Sequence, residues 1–434
     1  MSTLKTKLAQ KIAEHRPRTT RLLKEFGDVK VGEVTIEQAI GGVRDVKCLV
    51  TDISYLDPQE GIRFRGFTIP EVMAALPKPA GKDFPYVEGF WAFLLTGDIP
   101  TLEETMEIVE DFKSRSTVPS YVYDVLKALP KDSHPMVMFN TAILAMQKES
   151  KFAKFYEEGY NKMTAWESMY EDSTDMLARL PEIAAFIYRY KYKEGDIIVN
   201  PNEDIGTNFA KMMGIPAPYD DVARMYFILH SDHESGNASA HTTHLVASTL
   251  ADAYYSVSAG MDALAGPLHG LANQEVLRWL QAVMDKLDGV EPTEEIMKQF
   301  VLDTLDSGQV IPGFGHAVLR KTDPRYQSQR EFCEKHLPND KMFKYVDMLY
   351  RVVPDILLAK GKAKNPWPNV DAQSGVIQWF YGITEYDFYT VMFGVGRSIG
   401  VLANITWDRA LGYALERPKS LTTKMLEDIA AKAK

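Results

Sequence analysis

Four histidines lie within fifteen residues of the sequence, in HSDHESGNASAHTTH, and they form two H-x-x-H pairs: His230, His233, His241 and His244. On a helix this spacing can bring ring nitrogens to one face, where Asp232 or Glu234 could complete a zinc or iron site. The alternative is a helix end followed by a second helix, with histidines that cap and pack. The H-E-x-x-H motif is absent, and the residues alone support both interpretations about equally.

A fifth histidine lies between glycines in GPLHGLANQEV at 266–276. Pro267 favours the first turn of a helix, so His269 is predicted to lie against backbone N–H groups at the positive end of that helix. Such a position disfavours imidazolium and predicts a neutral ring that donates a hydrogen bond to a developing oxyanion. A histidine that only satisfies its own loop is the alternative, and taken alone it is the better supported one.

A third stretch, VIPGFGHAVLRKTDPRY at 310–326, combines glycines with basic residues around His316. The glycines allow the backbone to approach a ligand closely, and Arg320 and Arg325 can bind a carboxylate or phosphate through two parallel hydrogen bonds. In a chain of net charge -10, this local excess of cations predicts an anion site rather than a solvated basic turn.

A fourth stretch, KGKAKNPWPNVDAQSG at 360–375, places three lysines beside a proline-stiffened turn that ends at Asp371. The lysines could hold a polyphosphate. In dry surroundings Asp371 could act as a general base. An Asx-turn or a helix cap is the more common role of such an aspartate.

One arginine interrupts the most apolar stretch, 388–407, which is long enough to cross a bilayer. Arg397 lies near its middle, so we interpret the stretch as a buried core helix. A buried guanidinium needs a partner, and no acidic residue is near it in sequence. Either a distant carboxylate or the carboxylate of a ligand must pair with it, and we favour the ligand.

The elements that must position these residues are mainly helical. A 3.6-residue period predicts helices over 103–115, 135–149, 164–190, 219–232, 243–260, 271–285, 293–308, 340–352, 385–406 and 420–433. Leu4, Leu8 and Ile12 predict one more, packed helix. Strand-like stretches at 31–36 and 47–52 predict a small sheet near the N-terminus. No linker is visible, which suggests that any second lobe is inserted into the first.

Composition narrows the function classes. The chain has 434 residues, 45% of them hydrophobic and 25% charged, as in globular proteins of two domains or one large body. Its acidic balance argues against nucleic-acid binding. The two cysteines, Cys48 and Cys333, match no disulfide framework or zinc spacing. We expect a reducing, intracellular environment, and no apolar signal segment is visible at the N-terminus.

Six stretches together resemble the citrate synthase family in order and approximate spacing, essentially end to end. They are HSDHESGNASAHTTH, GPLHGLANQEV, PGFGHAVLRKTDPR, KNPWPNVDAQSG, FGVGRSIG and LERPKS, with EGIRFRGFTIPEV near the front. The long, mitochondrial type is the most similar. The resemblance implies an acyltransferase that condenses acetyl-CoA with oxaloacetate and water to citrate and CoA, the first step of the tricarboxylic acid cycle.

The resemblance also implies residue roles. Asp371 would remove a proton from the acetyl methyl group, His269 would stabilise the enol or enolate, and His316 would polarise and protonate the oxaloacetate carbonyl. Oxaloacetate would be bound by these two histidines together with His233, Arg325, Arg397 and, from the other subunit of a homodimer, Arg417. No metal and no cofactor is implied, because acetyl-CoA is a substrate.

For CoA, the resemblance implies contacts with the loop Pro312, Gly313, Phe314 and Gly315, with Arg320, Lys362 and Lys364, and with Arg44 from the partner subunit. Lys162 stands near a position where relatives of this type carry an arginine that contacts CoA. Lysine keeps the charge but cannot form the two-pronged contact, so CoA affinity is the property that this departure affects.

The implied fold is a large helical domain, residues 1–270 and 383–434, with a small helical domain inserted at 271–382 and a minor β element. Oxaloacetate binding would close the two domains. The alternatives are a 2-methylcitrate synthase using propionyl-CoA and, more remotely, a histidine-ligated metallohydrolase or a helical binding protein without activity. The expected location is soluble and intracellular: a bacterial cytoplasm, or a mitochondrial matrix for a processed form.

Overall fold

The computed structural model describes residues 2–194, 197–316, 318–361 and 365–433, and these residues are mainly α-helical, as predicted. The helices are α1 Thr3–Phe26, α2 Ile36–Ile40, α3 Ile69–Ala75, α4 Val87–Thr96, α5 Leu102–Arg115, α6 Ser120–Ala128, α7 Pro135–Ala145, α8 Lys151–Gly159, α9 Ala165–Tyr192, α10 Ile205–Met213, α11 Tyr219–Leu229, α12 Ala238–Ser248, α13 Ala253–Leu264, α14 Ala272–Leu287, α15 Glu294–Asp306, α16 Pro324–His336, α17 Lys341–Ala359, α18 Asp371–Phe380, α19 Tyr389–Leu411 and α20 Thr423–Lys432. Short 3-10 helices cover Met146–Glu149 and Tyr386–Phe388.

The small sheet is present near the N-terminus, but neither predicted strand is part of it. Its antiparallel strands are β1 Ser54–Asp57, β2 Gly61–Phe64 and β3 Phe67–Thr68, in the order β1-β2-β3. Residues 31–35 are exposed coil that leads into α2, which begins at Ile36, and 47–52 is also coil. A strand needs a paired edge and a buried face. In β1 and β2, Leu56, Ile62 and Phe64 provide that face, whereas the two predicted stretches bury none of their apolar side chains.

The centre of the fold is α19, which packs against α9, α11, α12 and α13. It is the one helix among the described residues that is long and apolar enough to cross a membrane, and its apolar window is completely buried within the chain. The prediction of a core helix is therefore confirmed. Two glycines allow its close packing on the end of α11: a Cβ at Gly400 would lie 2.4 Å from the carbonyl oxygen of Ser231, and one at Gly396 would lie 3.1 Å from that of Phe227.

The apolar period predicted one helix over 243–260, but the structure has two helices there, α12 and α13. Helix α12 ends at Ser248, Leu250 adopts a left-handed backbone conformation with φ 67°, and α13 begins after Asp252. The carboxylate of Asp252 accepts hydrogen bonds from the N–H groups of Tyr254 and Tyr255 and so caps the new helix. The apolar pattern continues across the break because both helices pack on α19.

Two further parts of the fold can be compared with the sequence predictions. The N-terminal helix α1 buries Leu4, Leu8 and Ile12, as their spacing predicted. Helices α14 to α18 pack mainly on one another, α14 and α16 on α18 and α15 on α17. This second group falls within the predicted inserted domain, 271–382, whose boundaries stay a prediction.

Candidate active site

His269 lies in the turn between α13 and α14, before the helix that was predicted to hold it. That prediction is wrong, because the first turn after Pro267 does not continue as a helix and α14 begins only at Ala272. A different helix N-terminus meets the ring: Nε2 of His269 accepts a hydrogen bond from the N–H of Ser239, in the first turn of α12, at 3.2 Å. The Ser239 hydroxyl is 2.9 Å from the same nitrogen.

These contacts fix the state of the ring. Burial, and then the charge of Arg397, lower the pKa of His269 to about 4. The ring is therefore neutral at pH 7, as predicted from the sequence. Because Nε2 accepts a backbone hydrogen bond, Nδ1 must carry the proton, and it is the atom of His269 that can donate to a ligand.

Arg397 lies in the middle of α19 and contacts the same region. Its Nη1 donates to Asn237 Oδ1 at 2.5 Å and to Ser239 Oγ at 3.0 Å, and the guanidinium lies 5.0 Å from the centre of the Phe393 ring. Burial lowers its pKa to about 10, against the opposing charge of Asp232. Within the described part of the chain no carboxylate oxygen lies within 4.0 Å of Arg397, so its hydrogen bonds go to neutral groups.

His316 follows the Pro312–Gly315 loop, and its ring is held by backbone. Nδ1 accepts hydrogen bonds from the N–H groups of Val318 and Leu319, both at 3.0 Å, so Nε2 carries the proton. Burial, and then Arg325, lower the pKa of His316 to about 4. The result is a second neutral imidazole with a defined donor nitrogen.

Arg325, in the first turn of α16, is almost completely buried and pairs with Asp323. Its Nε and Nη2 both donate to that carboxylate, the latter at 2.7 Å, and Asp323 also caps the helix by accepting from the N–H of Arg325. Arg325 and the other active-site cations depress the pKa of His233, after the larger effect of its burial. The rings of His233 and His316 are 5.3 Å apart.

Asp371 is the first residue of α18 and lies in the same low-polarity region. Burial raises the pKa of its carboxyl to about 6, although the charge of Arg325 opposes this change. Its N–H donates to Asn369 Oδ1 at 3.0 Å. Asp371 therefore lies at a helix start and has the dry surroundings that a role as general base requires.

The structure thus brings together six of the predicted site residues: His233, His269, His316, Arg325, Asp371 and Arg397. They come from the α11–α12 and α13–α14 connections, the loop before α16, and helices α16, α18 and α19. They are close enough to influence one another: Arg325, His316, Arg397 and His269 all disfavour protonation of His233, and Arg397 lowers the pKa of His269. A cluster with two neutral donors, two cations and one carboxyl of raised pKa suits acid–base chemistry on an anionic substrate.

The other three histidines of the 230–244 cluster have separate structural partners. His230 Nδ1 bonds the carbonyl of Tyr226, His241 pairs with Glu416, and His244 pairs with Asp408 at 2.6 Å. Across the described ranges, no group of three or more His, Cys, Asp or Glu side chains is arranged to hold a metal ion. The H-x-x-H spacing thus reflects one helix end and one new helix, the structural alternative raised from the sequence.

The residues predicted to contact CoA, and the residue predicted to act across subunits, are less concentrated. Arg320 is exposed, and its Nη1 donates to the carbonyls of Val318 and Leu319. Arg44, Lys162 and Arg417 are exposed, and no hydrogen bond or ion pair joins their side chains to the rest of the described chain. Lys362 and Lys364 lie outside the described residues. Among the described residues, Arg320 lies close enough to His316 to lower the pKa of that histidine, whereas no hydrogen bond or ion pair joins the side chains of Arg44, Lys162 or Arg417 to the six residues above.

Several residues at the site were not singled out from the sequence. Asn237 and Ser239 bond Arg397, and Asp323 pairs with Arg325. Two of them had a readable signal. Asn237 and Asp323 are N-cap residues of α12 and α16, and Asp before Pro marks a helix start. Neither N-cap motif predicts which arginine the capping residue will contact.

Comparisons with known proteins agree along nearly the whole chain. A family model described as citrate synthase, C-terminal domain, matches residues 42–419. The mitochondrial citrate synthases of Xiphias gladius and Kajikia audax are each 51% identical over 423 residues, which cover 97% of this chain and 90% of theirs.

Solved structures have the same architecture. Citrate synthase from Pyrobaculum aerophilum aligns with a TM-score of 0.76 and 28% identity, covering 88% of this chain and 92% of that one. The ternary complex of citrate synthase from Thermoplasma acidophilum with carboxymethyl coenzyme A and oxaloacetate aligns with a TM-score of 0.74, covering 90% of this chain and 97% of that one. Its 22% identity makes this second match evidence of the fold alone.

Proposed function

This chain belongs to the citrate synthase family, and we propose that His269, His316 and Asp371 carry out its condensation of acetyl-CoA with oxaloacetate and water to citrate and CoA. One observation carries the assignment. Two imidazoles held neutral by burial, each with one nitrogen occupied by backbone N–H, converge with a carboxyl group whose pKa is raised to about 6. Proton abstraction next to a carbonyl needs this pairing of a base with a neutral donor.

In the first step, Asp371 takes a proton from the methyl group of acetyl-CoA while Nδ1–H of His269 donates to the thioester oxygen. The negative charge that develops on this oxygen is stabilised by a donor that is already oriented by Ser239. The raised pKa of Asp371 makes its carboxylate a stronger base and so reduces the difference in basicity between it and the enolate.

In the second step, the methylene carbon of the enol attacks the ketone carbon of oxaloacetate, and Nε2–H of His316 protonates the ketone oxygen as the new carbon–carbon bond forms. Water then cleaves the thioester of the citryl product, which releases CoA and citrate. Over one turnover, the proton that Asp371 takes from the methyl group balances the proton that His316 gives to the ketone oxygen. Water supplies the hydroxyl of the new carboxyl group and the proton of the CoA thiol, and we propose that no cofactor takes part.

The two carboxylates of oxaloacetate are assigned to the cations Arg325 and Arg397, with His233 beside them. Arg397 is suited to this role, because its hydrogen bonds within the described chain go only to neutral groups. Arg325 is paired with Asp323 on one edge through Nε and Nη2. A ligand carboxylate would meet the other edge of that guanidinium.

For CoA we propose the backbone of Pro312, Gly313, Phe314 and Gly315 next to Asp371, with Arg320 towards the phosphates. Gly313 lets this loop pack against the start of α18, beside Asp371, since it has φ 79° and a Cβ there would lie 2.8 Å from Ala372. Lys362 and Lys364 are proposed to contact CoA as well, and Arg44 and Lys162 are proposed to add positive charge to the CoA site.

A homodimer is the proposed assembly, with Arg417 and Arg44 each reaching the site of the partner subunit. Both residues are exposed in the single chain, and they lie near helices that bury nothing: α2 and α20 have no buried residue. Val31 and Ile40 are 73% exposed, and Met425 and Ile429 about half exposed. We call the exposed segments around α2 and α20 the two arms. Exposed apolar side chains on these arms suit contact with a second copy of the chain.

A buried arginine next to these arms supports the same assembly. Arg409 is 1% exposed, and its Nε has no hydrogen-bond partner among the described residues. It lines a cavity of about 240 Å³ together with Cys48 and Leu49 from one arm and Tyr413 and Glu416 from the other. A partner subunit that covers both arms would close this cavity and could supply the missing acceptor.

Two further assignments are proposals of the same kind. Residues 271–382 would form a small domain inserted into a large one made of 1–270 and 383–434, and the mutual packing of α14 to α18 supports this division. The mitochondrial matrix is the proposed location, since relatives with 51% identity are mitochondrial enzymes.

The reaction is tested by CoA-thiol release from acetyl-CoA and, separately, from propionyl-CoA, with and without oxaloacetate. Oxaloacetate-dependent release that favours acetyl-CoA is expected. Asp371→Asn should lower this rate about 10²- to 10⁴-fold, the usual contribution of a general base. A preference for propionyl-CoA would leave the mechanism intact and change the substrate. An Asp371→Asn variant that keeps its activity would remove Asp371 from the mechanism.

A further inference from the structure

Asn369 joins the two loops that carry His316 and Asp371. Its Nδ2 donates to the carbonyl oxygen of Gly315 at 3.0 Å, across 54 positions of sequence, and its Oδ1 accepts from the N–H of Asp371 at 3.0 Å. One side-chain amide is therefore hydrogen-bonded both to Gly315, the residue before His316, and to Asp371.

The surrounding backbone holds the two loops edge to edge. The N–H of Gly315 donates to the carbonyl of Trp367 at 2.9 Å, the N–H of Asn369 donates to the carbonyl of Gly313 at 2.9 Å, and an isolated β-bridge joins Phe314 to Pro368. These bonds bring the loops together. The side chain of Asn369 adds a further connection, because its planar amide is bonded to both Gly315 and Asp371.

We propose that Asn369 is a positioning residue for the condensation, which sets the placement of His316 relative to Asp371. This inference rests on the roles proposed above for these two residues. The enol formed at Asp371 must meet the ketone held at His316 within a narrow range of distance and angle, and a misplacement of about 1 Å can cost about 10²-fold in rate. A planar amide bonded at both ends is well suited to hold that geometry.

The competing role for Asn369 is that of a cap for α18. Its bond to the N–H of Asp371 satisfies a free donor at the start of that helix, and Asn, Asp and Ser all serve this purpose well. Only Asn can also donate to the carbonyl of Gly315. Asp presents an acceptor there, and Ser is too short to reach across. Substitutions by Asp and by Ser therefore separate capping from positioning.

The experiment compares Asn369→Ser and Asn369→Asp with Asn365→Asp as the matched control. Asn365 lies in the same loop, and its Oδ1 likewise accepts from the N–H two residues on, that of Trp367, at 2.9 Å. For both Asn369 variants, kcat at high pH is expected to fall about 10- to 100-fold, with the KM for oxaloacetate changed less than about threefold. The control should keep kcat within about threefold of wild type.

Each outcome has a definite meaning. If Asn369→Ser and Asn369→Asp both keep the kcat of the wild type, the side chain merely caps α18 and the inference is wrong. The variants are compared by the plateau of kcat at high pH. The charge added by Asn369→Asp changes the protonation of Asp371, and this effect is confined to the acid side of the pH profile. Thermal melts identify a variant that fails to fold, and the neutral Asn369→Ser then decides alone. A wild-type enzyme without oxaloacetate-dependent CoA release would instead refute the proposed function.

Discussion

At the scale of single residues, the site depends on groups whose protonation is set by burial. His269 and His316 have pKa values lowered to about 4, and the pKa of Asp371 is raised to about 6. The same low-polarity surroundings thus remove the charge from two bases and make a carboxylate a stronger base. Each imidazole uses one nitrogen to accept backbone N–H groups, which leaves one donor nitrogen free for the reaction.

These pKa values predict a specific acid limb in the pH profile. Asp371 must be ionised to accept a proton, so kcat/KM for acetyl-CoA should fall as the pH drops through about 6, roughly tenfold for each further pH unit. His269 and His316 stay neutral throughout this window and do not contribute to the limb. The measurement is a steady-state profile from pH 5 to pH 9. An activity that stays constant down to pH 5 would show that the base is a different group.

At the scale of elements, helix α19 determines where the oxaloacetate residues lie. Gly400 allows it to approach the end of α11, from which the chain continues through Ser231 to His233. The same helix carries Arg397, whose hydrogen bonds reach the start of α12. Close packing of three helices therefore fixes one cation and one histidine relative to each other.

A methyl group at Gly400 is expected to disturb both stability and substrate binding. In Gly400→Ala the Cβ would meet Ser231 O at 2.4 Å and the Asp232 Cβ at 2.5 Å, so the backbone must move. Overpacking of this kind costs about 1–3 kcal/mol, and the KM for oxaloacetate should rise because the segment leading to His233 is displaced. Thermal melts and steady-state kinetics measure the two effects.

The matched control for this change is Gly236→Ala. Gly236 is exposed in the loop after His233, and a Cβ there meets nothing closer than Glu234 Oε1 at 3.5 Å. It should leave stability and the KM for oxaloacetate nearly unchanged. Equal effects of the two substitutions would mean that the packing at Gly400 has no special role.

At the scale of the whole molecule, the proposed dimer makes a prediction about shared active sites. If Arg417 acts in the partner subunit, a hybrid of one Arg417→Leu subunit with one Asp371→Asn subunit has one complete site and one that lacks both groups. Random mixing makes half of the dimers hybrid, so two inactive variants should together recover about a quarter of the wild-type activity. No recovery upon co-expression would place Arg417 in its own subunit's site, and an Arg417→Leu homodimer that keeps its activity would place Arg417 outside the mechanism.

The proposed two-domain arrangement predicts a movement on substrate binding. Segments 1–270 and 271–382 meet in this structure through contacts such as the Arg320 N–H to the Pro58 carbonyl at 2.7 Å and the Lys335–Asp83 ion pair at 2.6 Å. The residues proposed to bind oxaloacetate come from both parts, so its binding is expected to stabilise the closed arrangement. Saturating oxaloacetate should reduce the radius of gyration in small-angle scattering and tighten acetyl-CoA binding. If both are unchanged, closure is not coupled to oxaloacetate.

The sequence by itself determined the helical class, the buried position of Arg397 and six residues that the folded chain brings together. Periodicity reports which face of a helix is buried, and the glycines and prolines around His269 and His316 mark the loops that can approach a ligand. The resemblance of six ordered motifs supplied the reaction. These are local or ordered features, which a linear reading can detect.

Only the tertiary structure decided what depends on neighbours distant in sequence. It replaced both predicted strands with β1 to β3, because pairing requires a partner edge, and it ended the helix predicted over 243–260 at a left-handed residue. It gave His269 the N-terminus of α12 rather than that of its own helix. It also paired Arg325 with Asp323 and joined the loops of His316 and Asp371 through Asn369. Hydrogen bonds and desolvation arise from packing in three dimensions, so the pKa values and donor atoms of the site emerge only when the chain is folded.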